Sequence, residues 1–199
     1  MSDIKLFGRW DTTGIAVVDP GLRPYMSIPS LYLPVTFGRH ASTRFYKSRY
    51  HLVERLVGKL QVVGHKGKKH LRSSGHRTGK RLSALTILLR AFSEIESKMK
   101  ENPIAVFVRA LENAAPREEI TTIEYGGARY PQAVECAPQR RIDLALRQFV
   151  VGATAKSFNA KTPLASALAN EIILASRMDQ QSQAISKKLE LERQADSSR

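Results

Sequence analysis

A chain of 199 residues with 42% hydrophobic residues can form one ordinary core with extensions, and its net charge of +14 and pI near 10.2 point to a polyanionic partner. Its one cysteine, Cys136, excludes an internal disulfide and suits a reducing compartment. No apolar run approaches the roughly 18 residues of a membrane span, and Met1-Ser2-Asp3-Ile4-Lys5 lacks the pattern of a signal peptide, so an intracellular, non-membrane protein is expected.

The charge is unevenly placed. Residues 39–81 hold thirteen of the 32 lysines and arginines and one acid, Glu54, and so carry +12 of the +14. Residues 1–49 read as an irregular arm, because Pro20, Pro24, Pro29 and Pro34 recur too often for a long helix or central strand. Trp10, Tyr25, Tyr32 and Phe37 are its candidate anchors, on the body or on RNA. Tyr50 to Val63 predicts a first helix, with Leu52, Val53, Leu56, Val57, Leu60 and Val63 on one face, Arg55 and Lys59 off it, and Gly64 as its C-cap. A basic loop follows over 64–81. It has almost nothing apolar to bury and should be disordered on its own. The spacing of its histidines fits no standard zinc pattern. Gly75 to Arg81 is not a phosphate loop: three residues rather than four separate the glycines, and Arg81 follows Lys80 where Ser or Thr is needed.

Leu82 to Met99 predicts a second helix, with Leu82, Leu85, Leu88, Leu89, Phe92, Ile95 and Met99 inward. Asn102-Pro103 caps a third, with Ile104, Phe107, Val108 and Leu111 inward, and Pro116 closes it. Glu118 to Tyr125 and Ala128 to Glu135 are the arms of a hairpin, and Gly126-Gly127 supply the positive φ of its turn. Both faces of the ribbon mix polar and apolar residues, so neither is a core face. At about 3.3 Å per residue it is a finger reaching roughly 25 Å from the body. Pro138 to Ala155 predicts a fourth helix, with Ile142, Ala145, Leu146, Phe149, Val150 and Ala153 inward and Leu144 and Val151 nearly opposite, hence central. Thr162-Pro163 caps a fifth, with Leu164, Leu168, Ile172 and Ala175 inward. Ser182 to Ala195 is a weaker sixth, with Ile185 and Leu189 inward. The expected fold is mainly α: a bundle of about six helices with one protruding β-hairpin between the third and fourth, plus an irregular N-terminal arm. The expected division is an arm, 1–49, and a helical RNA-binding domain, 50–199, carrying the basic loop 64–81 and the hairpin 118–136.

No catalytic constellation emerges. All five histidines precede residue 80, and Glu94, Glu96, Glu112, Glu190 and Glu192 read as solvated helix residues. No cofactor and no metal are expected. Arg140 and Arg141 sit in the first turn of the fourth helix, where a cation costs roughly 0.3–1 kcal/mol; Asp143 offsets part of this, and a bound phosphate would offset the rest. Arg39, Arg44, Lys47, Arg49, Lys68, Lys69, Arg72, Arg77, Lys80 and Arg81 form one candidate phosphate-binding surface. Arg117, Arg140, Arg141 and Arg147 form a second, at the root of the ribbon. Tyr125, Arg129 and Tyr130, around the Gly126-Gly127 tip, can stack on or clamp a nucleotide. The alternative is a free DNA-compacting or regulatory protein, which predicts dimerisation and a recognition helix with basic residues on one exposed face. The basic excess lies mostly in a loop and an arm, which favours RNA in a large assembly.

Several motifs carry a resemblance. They are Val53-Glu54-Arg55-Leu56, Gly79-Lys80-Arg81 with Ile87-Leu88 and Ala91, and Glu101-Asn102-Pro103-Ile104 with Val108-Arg109-Ala110. Glu112-Asn113-Ala114-Ala115-Pro116-Arg117-Glu118-Glu119 and Tyr125-Gly126-Gly127 through Tyr130-Pro131 follow, then Pro138-Gln139-Arg140-Arg141-Ile142-Asp143-Leu144-Ala145-Leu146-Arg147 and Glu171-Ile172-Ile173-Leu174-Ala175. In this order they resemble the universal small-subunit ribosomal protein seven family, in its archaeal and eukaryotic form and most like the archaeal. Cys136-Ala137 stands where that family often has Val-Ser. The resemblance implies a structural constituent of the ribosome in the cytoplasm. It would be a primary binder of small-subunit ribosomal RNA that nucleates assembly of the head, with neighbouring small-subunit proteins as partners and no homo-oligomer. Its hairpin residues Tyr125, Gly126, Gly127, Arg129 and Tyr130 would lie near the exit-site tRNA and the mRNA path.

Overall fold

The computed structural model describes residues 4–39, 41–62 and 80–199. Among them, six α-helices and one hairpin follow as α1 (Leu52–Leu60), α2 (Arg81–Met99), α3 (Pro103–Ala114), β1 (Glu118–Tyr125), β2 (Ala128–Glu135), α4 (Pro138–Ser157), α5 (Leu164–Ser176) and α6 (Gln183–Asp196). The fold is mainly helical, with the hairpin between the third and fourth helices as predicted. Among the described residues before α1 there are two short 3-10 helices, Arg23–Tyr25 and Tyr46–Arg49.

Helix α5 is the centre of the bundle. Ala165, Ala167, Ala169 and Ala175 are buried on it, and such small side chains let α2, α3 and α4 pack closely against it. A chain of aromatic contacts then crosses the core. Trp10 meets Phe92 of α2 at 5.6 Å between centroids, Phe92 meets Phe107 of α3 at 6.0 Å, and Phe107 meets Phe149 of α4 at 6.4 Å. The arm is therefore part of the core. Trp10 Nε1 also donates to Glu96 at 3.1 Å, the backbone N–H groups of Val18 and Asp19 donate to Glu112, and Asn102 Nδ2 donates to the Asp11 carbonyl at 2.7 Å. Glu96 and Glu112, read from sequence as merely solvated, fasten the arm; Glu94 accepts from Ser166, and Glu192 from the backbone N–H of Arg117.

The helix ends show which local signals decide structure. Asn102 caps α3 as predicted, accepting from Ile104 N at 3.0 Å. Helix α5 departs from the prediction. Pro163, not Thr162, holds the N-cap position, and no side chain caps it. Helix α1 ends at Leu60 with Gln61 as C-cap, a turn before the predicted Val63, and Val62 N bonds back to Lys59 O as the turn tightens. Val63 and Gly64 lie outside the described residues. Leu82, expected on the inward stripe of α2, is 80% exposed, while Ala84 and Leu85 beside it are buried. Leu189 of α6, also expected inward, is 37% exposed.

A buried carboxylate organises the far end of the bundle. Glu171 is the only charged residue of α5 and is fully buried. It accepts from Lys156 Nζ at 2.9 Å, from Ser182 Oγ at 2.8 Å and from Ala184 N at 3.2 Å. It thus caps α6 from a neighbouring helix, satisfying a first-turn N–H that Ser182 leaves open. Gly152 of α4 allows this approach: a Cβ there would stand 2.8 Å from Gln183 Cβ and 2.9 Å from Glu171 Cδ.

His51 caps α1, its Nδ1 accepting from Val53 N at 3.1 Å. Burial lowers the imidazole pKa from 6.5 to about 4, against the opposing charge of Glu54. The unfolded chain takes up this proton below its ordinary pKa and the folded chain does not. The contribution is therefore complete above 6.5 and lost as pH falls towards 4, roughly 3 kcal/mol in all. His51→Asn keeps a capping acceptor without this titration. Urea midpoints measured at pH 7 and pH 4.5 should differ less in the variant than in the native chain.

Candidate nucleic-acid interface

Asp143, in the second turn of α4, joins three elements. Lys47 of the arm is ion-paired with its Oδ2, and its Oδ1 lies 3.4 Å from Arg55 Nη2 and 3.8 Å from Lys59 Nζ. Burial alone would raise this carboxyl. The Lys47 hydrogen bond and the charges of Lys59 and Arg55 outweigh it and hold the pKa below the usual value. Three cations around one carboxylate leave the patch positive. Lys47, from the first expected surface, is thereby joined to α4, the helix that carries Arg140, Arg141 and Arg147 of the second.

The structure sorts the expected residues by what their charges already do. Arg81 is paired with buried Glu54 at 2.5 Å, and the same carboxylate accepts from Thr36 N and Thr36 Oγ1. Arg140 is paired with Glu119 of β1 at 2.5 Å. Arg141 is largely buried, donating to Asp19 at 2.9 Å and to the Pro116 carbonyl at 3.1 Å. The first turn of α4 thus already holds carboxylates against its two arginines, which sequence had left to a bound anion. Arg39, Arg44, Arg49, Lys80, Arg117 and Arg147 are exposed and form no ion pair among the described residues. Lys68, Lys69, Arg72 and Arg77 lie outside the described residues, as does most of the basic loop 64–81.

The ribbon is a regular antiparallel pair from Glu118↔Glu135 to Tyr125↔Ala128. Gly126 and Gly127 turn it with φ of 58° and 81°, the positive pair that a two-residue hairpin needs. Pro131 is tolerated because each strand of a two-stranded ribbon is an edge. Residues 121–132 are all exposed, including Tyr125, Arg129 and Tyr130; Glu124 pairs with Arg129 across the strands at 3.7 Å. Only the root is covered, where α6 packs along β1. There Arg199 is ion-paired with Glu118, and Arg117, Lys188, Glu192 and Asp196 complete a polar cleft of about 320 Å³. Cys136, at the base of the ribbon, is buried, and burial together with Glu119 pushes its thiol up to about 11, so it is held as an unreactive thiol.

Sequence reasoning missed Arg55, Glu54 and Glu171. Arg55 was placed off the apolar face of α1. It is buried, because the arm covers that face and the Tyr25 carbonyl accepts its guanidinium at 2.9 Å. Nothing local to α1 signals this. Glu171 did leave a signal: a lone charge in an otherwise uncharged thirteen-residue helix. Among the described residues, no group of three His, Cys, Asp or Glu side chains is placed to hold a metal ion, and no helix is long and apolar enough to cross a membrane.

This geometry is a helical body with a basic, arm-covered face and a projecting ribbon. The profile of the family described as Ribosomal protein S7p/S5e matches residues 32–199. The protein named small ribosomal subunit protein uS7 from Nanoarchaeum equitans (strain Kin4-M) is 52% identical over 196 residues, covering 98% of this chain and 99% of that protein. The chain belongs to the ribosomal protein S7p/S5e family, in its archaeal form.

Proposed function

We propose that this ribosomal constituent is a primary RNA-binding protein of the small-subunit head, gripping the 3′ major domain of the RNA and extending its ribbon toward the exit-site tRNA and the mRNA. One observation carries the reading. Cationic side chains without an ion pair among the described residues lie on the arm, at Arg39, Arg44 and Arg49, and near the ribbon, at Arg117 and Arg147. A-form RNA hides its base edges in a deep groove, so such a surface works by phosphate neutralisation and shape. Arg39, Arg44, Arg49, Lys80, Arg117 and Arg147 carry the direct contacts. Lys47, Arg81, Arg140 and Arg141 first fix the arm, α1, α2 and the ribbon to one another. Neighbouring small-subunit proteins cover other faces. The DNA-compacting alternative lacks its exposed basic recognition helix among the described residues.

The ribbon separates two parts of the proposal. Residues 122–131 are all exposed and pair only with one another across the ribbon among the described strands, so joining Thr121 to Gln132 through two glycines should shift the thermal midpoint by no more than about 2 °C. Subunits reconstituted with this variant should assemble normally and retain exit-site tRNA severalfold less well in a filter assay. Undiminished retention would remove the tRNA role from the ribbon.

A further inference from the structure

The arm contains the same turn twice, with opposite outcomes. Leu6-Phe7-Gly8-Arg9 and Thr36-Phe37-Gly38-Arg39 each close with the arginine N–H bonded to the carbonyl three residues back, at 3.1 and 3.2 Å. In both, phenylalanine and glycine have positive φ: 55° and 71° in the first, 53° and 71° in the second. A positive φ is a rare and strained conformation for a bulky residue. In the first turn Phe7 packs edge-on against Trp10, with 6.2 Å between centroids, at the edge of the core. In the second, Phe37 is 77% exposed. Phe45 repeats the pattern: its φ is 58°, it is 67% exposed, and the Arg44 guanidinium lies 4.9 Å from its ring centroid. The stretch that displays these rings is held at both ends, by Thr36 on Glu54 and by Lys47 on Asp143. No acid occurs between Asp19 and Glu54, whereas Arg39, Arg44, Lys47 and Arg49 surround the two rings in sequence.

We infer that Phe37 and Phe45 are a stacking platform for unpaired nucleobases, with Arg39, Arg44 and Arg49 holding the adjoining phosphates. The inference rests on the RNA-binding reading above and adds a ligand class to it: looped or bulged single-stranded RNA rather than continuous duplex. The charge names the partner. Exposed rings among acid-free arginines suit bases attached to phosphates, and every base offers a π-face to a ring beside a guanidinium. Among the described residues, neither ring packs against the apolar core, unlike Phe7.

The test compares two RNAs of equal length, a continuous duplex and the same duplex interrupted by a loop of unpaired bases. The native chain should bind the looped RNA at least about tenfold more tightly, from stacking on two rings. F37L/F45L should bind both RNAs alike, with duplex affinity and salt dependence unchanged. In a second measurement on the native chain, bromouridine in the loop should photocrosslink to Phe37 or Phe45. Equal binding of the two RNAs by the native chain, a preference that survives the double substitution, or crosslinks confined to other residues would overturn the platform while leaving salt-dependent duplex binding intact. Absence of salt-dependent binding to either RNA would overturn the underlying reading as well.

Discussion

Raising the salt from about 50 to about 200 mM should lower the affinity for small-subunit RNA by on the order of a thousandfold or more, if roughly eight phosphates are neutralised. The expectation follows from where the charge lies. Each cation that meets a phosphate releases condensed counterions, and only a cation not already matched within the chain contributes fully. Arg117 and Arg147 are exposed and form no ion pair among the described residues. Replacing each with alanine should reduce the salt slope by about one and leave folding unchanged. Arg141 should behave differently. Its guanidinium holds Asp19 and the Pro116 carbonyl together. Burial would raise the Asp19 carboxyl, but hydrogen bonds from Gly21 N and Arg141 outweigh it and keep the pKa low. Arg141→Ala should therefore cost about 1–3 kcal/mol of stability, and its effect on RNA should come through a loosened arm. A filter-binding series on the native chain and the three variants checks all of this. A flat salt response would remove the electrostatic account.

Glu171→Ala should be the most damaging single substitution at the far end of the bundle, by about 3 kcal/mol. It leaves Ser182 Oγ and the Ala184 N–H buried without an acceptor, and an unsatisfied buried group costs about 1–3 kcal/mol. Lys156 can turn to water, so its charge adds little. For a chain of this size the thermal midpoint should fall by roughly 6–12 °C. Gly152→Ala reaches the same place by another route. Its Cβ would press on Glu171 and Gln183 at 2.8–2.9 Å, an overpacking that costs about 1–3 kcal/mol. Both changes loosen α6, and α6 supports the ribbon root. Differential scanning calorimetry reads the stability. Hydrogen exchange at β1 residues near Glu118 should quicken in both variants. Native-like exchange there would uncouple the ribbon from α6.

What the sequence shows and hides follows from the range of the interactions. Helices α2 to α4 and the hairpin were legible because their determinants are local: Asn102-Pro103, Pro138, the Gly126-Gly127 turn and apolar stripes of helical period. The mixed faces of the ribbon correctly implied a finger without a core. The arm was only half legible. Proline spacing showed that it is irregular, but not that Trp10 enters the core or that the arm buries Arg55 and Glu54 on α1. Those contacts join residues far apart in the chain, and no periodicity within α1 encodes them. Thr162 looked like a cap because Thr-Pro is a good local signal, yet the helix begins one residue later. At the candidate interface, sequence pointed to basic residues only as a class. It could not separate Arg140 and Arg141, which pair with Glu119 and Asp19 across the fold, from Arg117 and Arg147, which form no ion pair among the described residues.

Hydroxyl-radical footprinting of full-length small-subunit RNA with the purified chain tests the central claim most directly. Backbone protections should cluster in the 3′ major domain, form without other proteins, and weaken together as Arg117 and Arg147 are replaced. Protections scattered evenly over all domains, or none until other proteins are added, would contradict a primary role in binding the head.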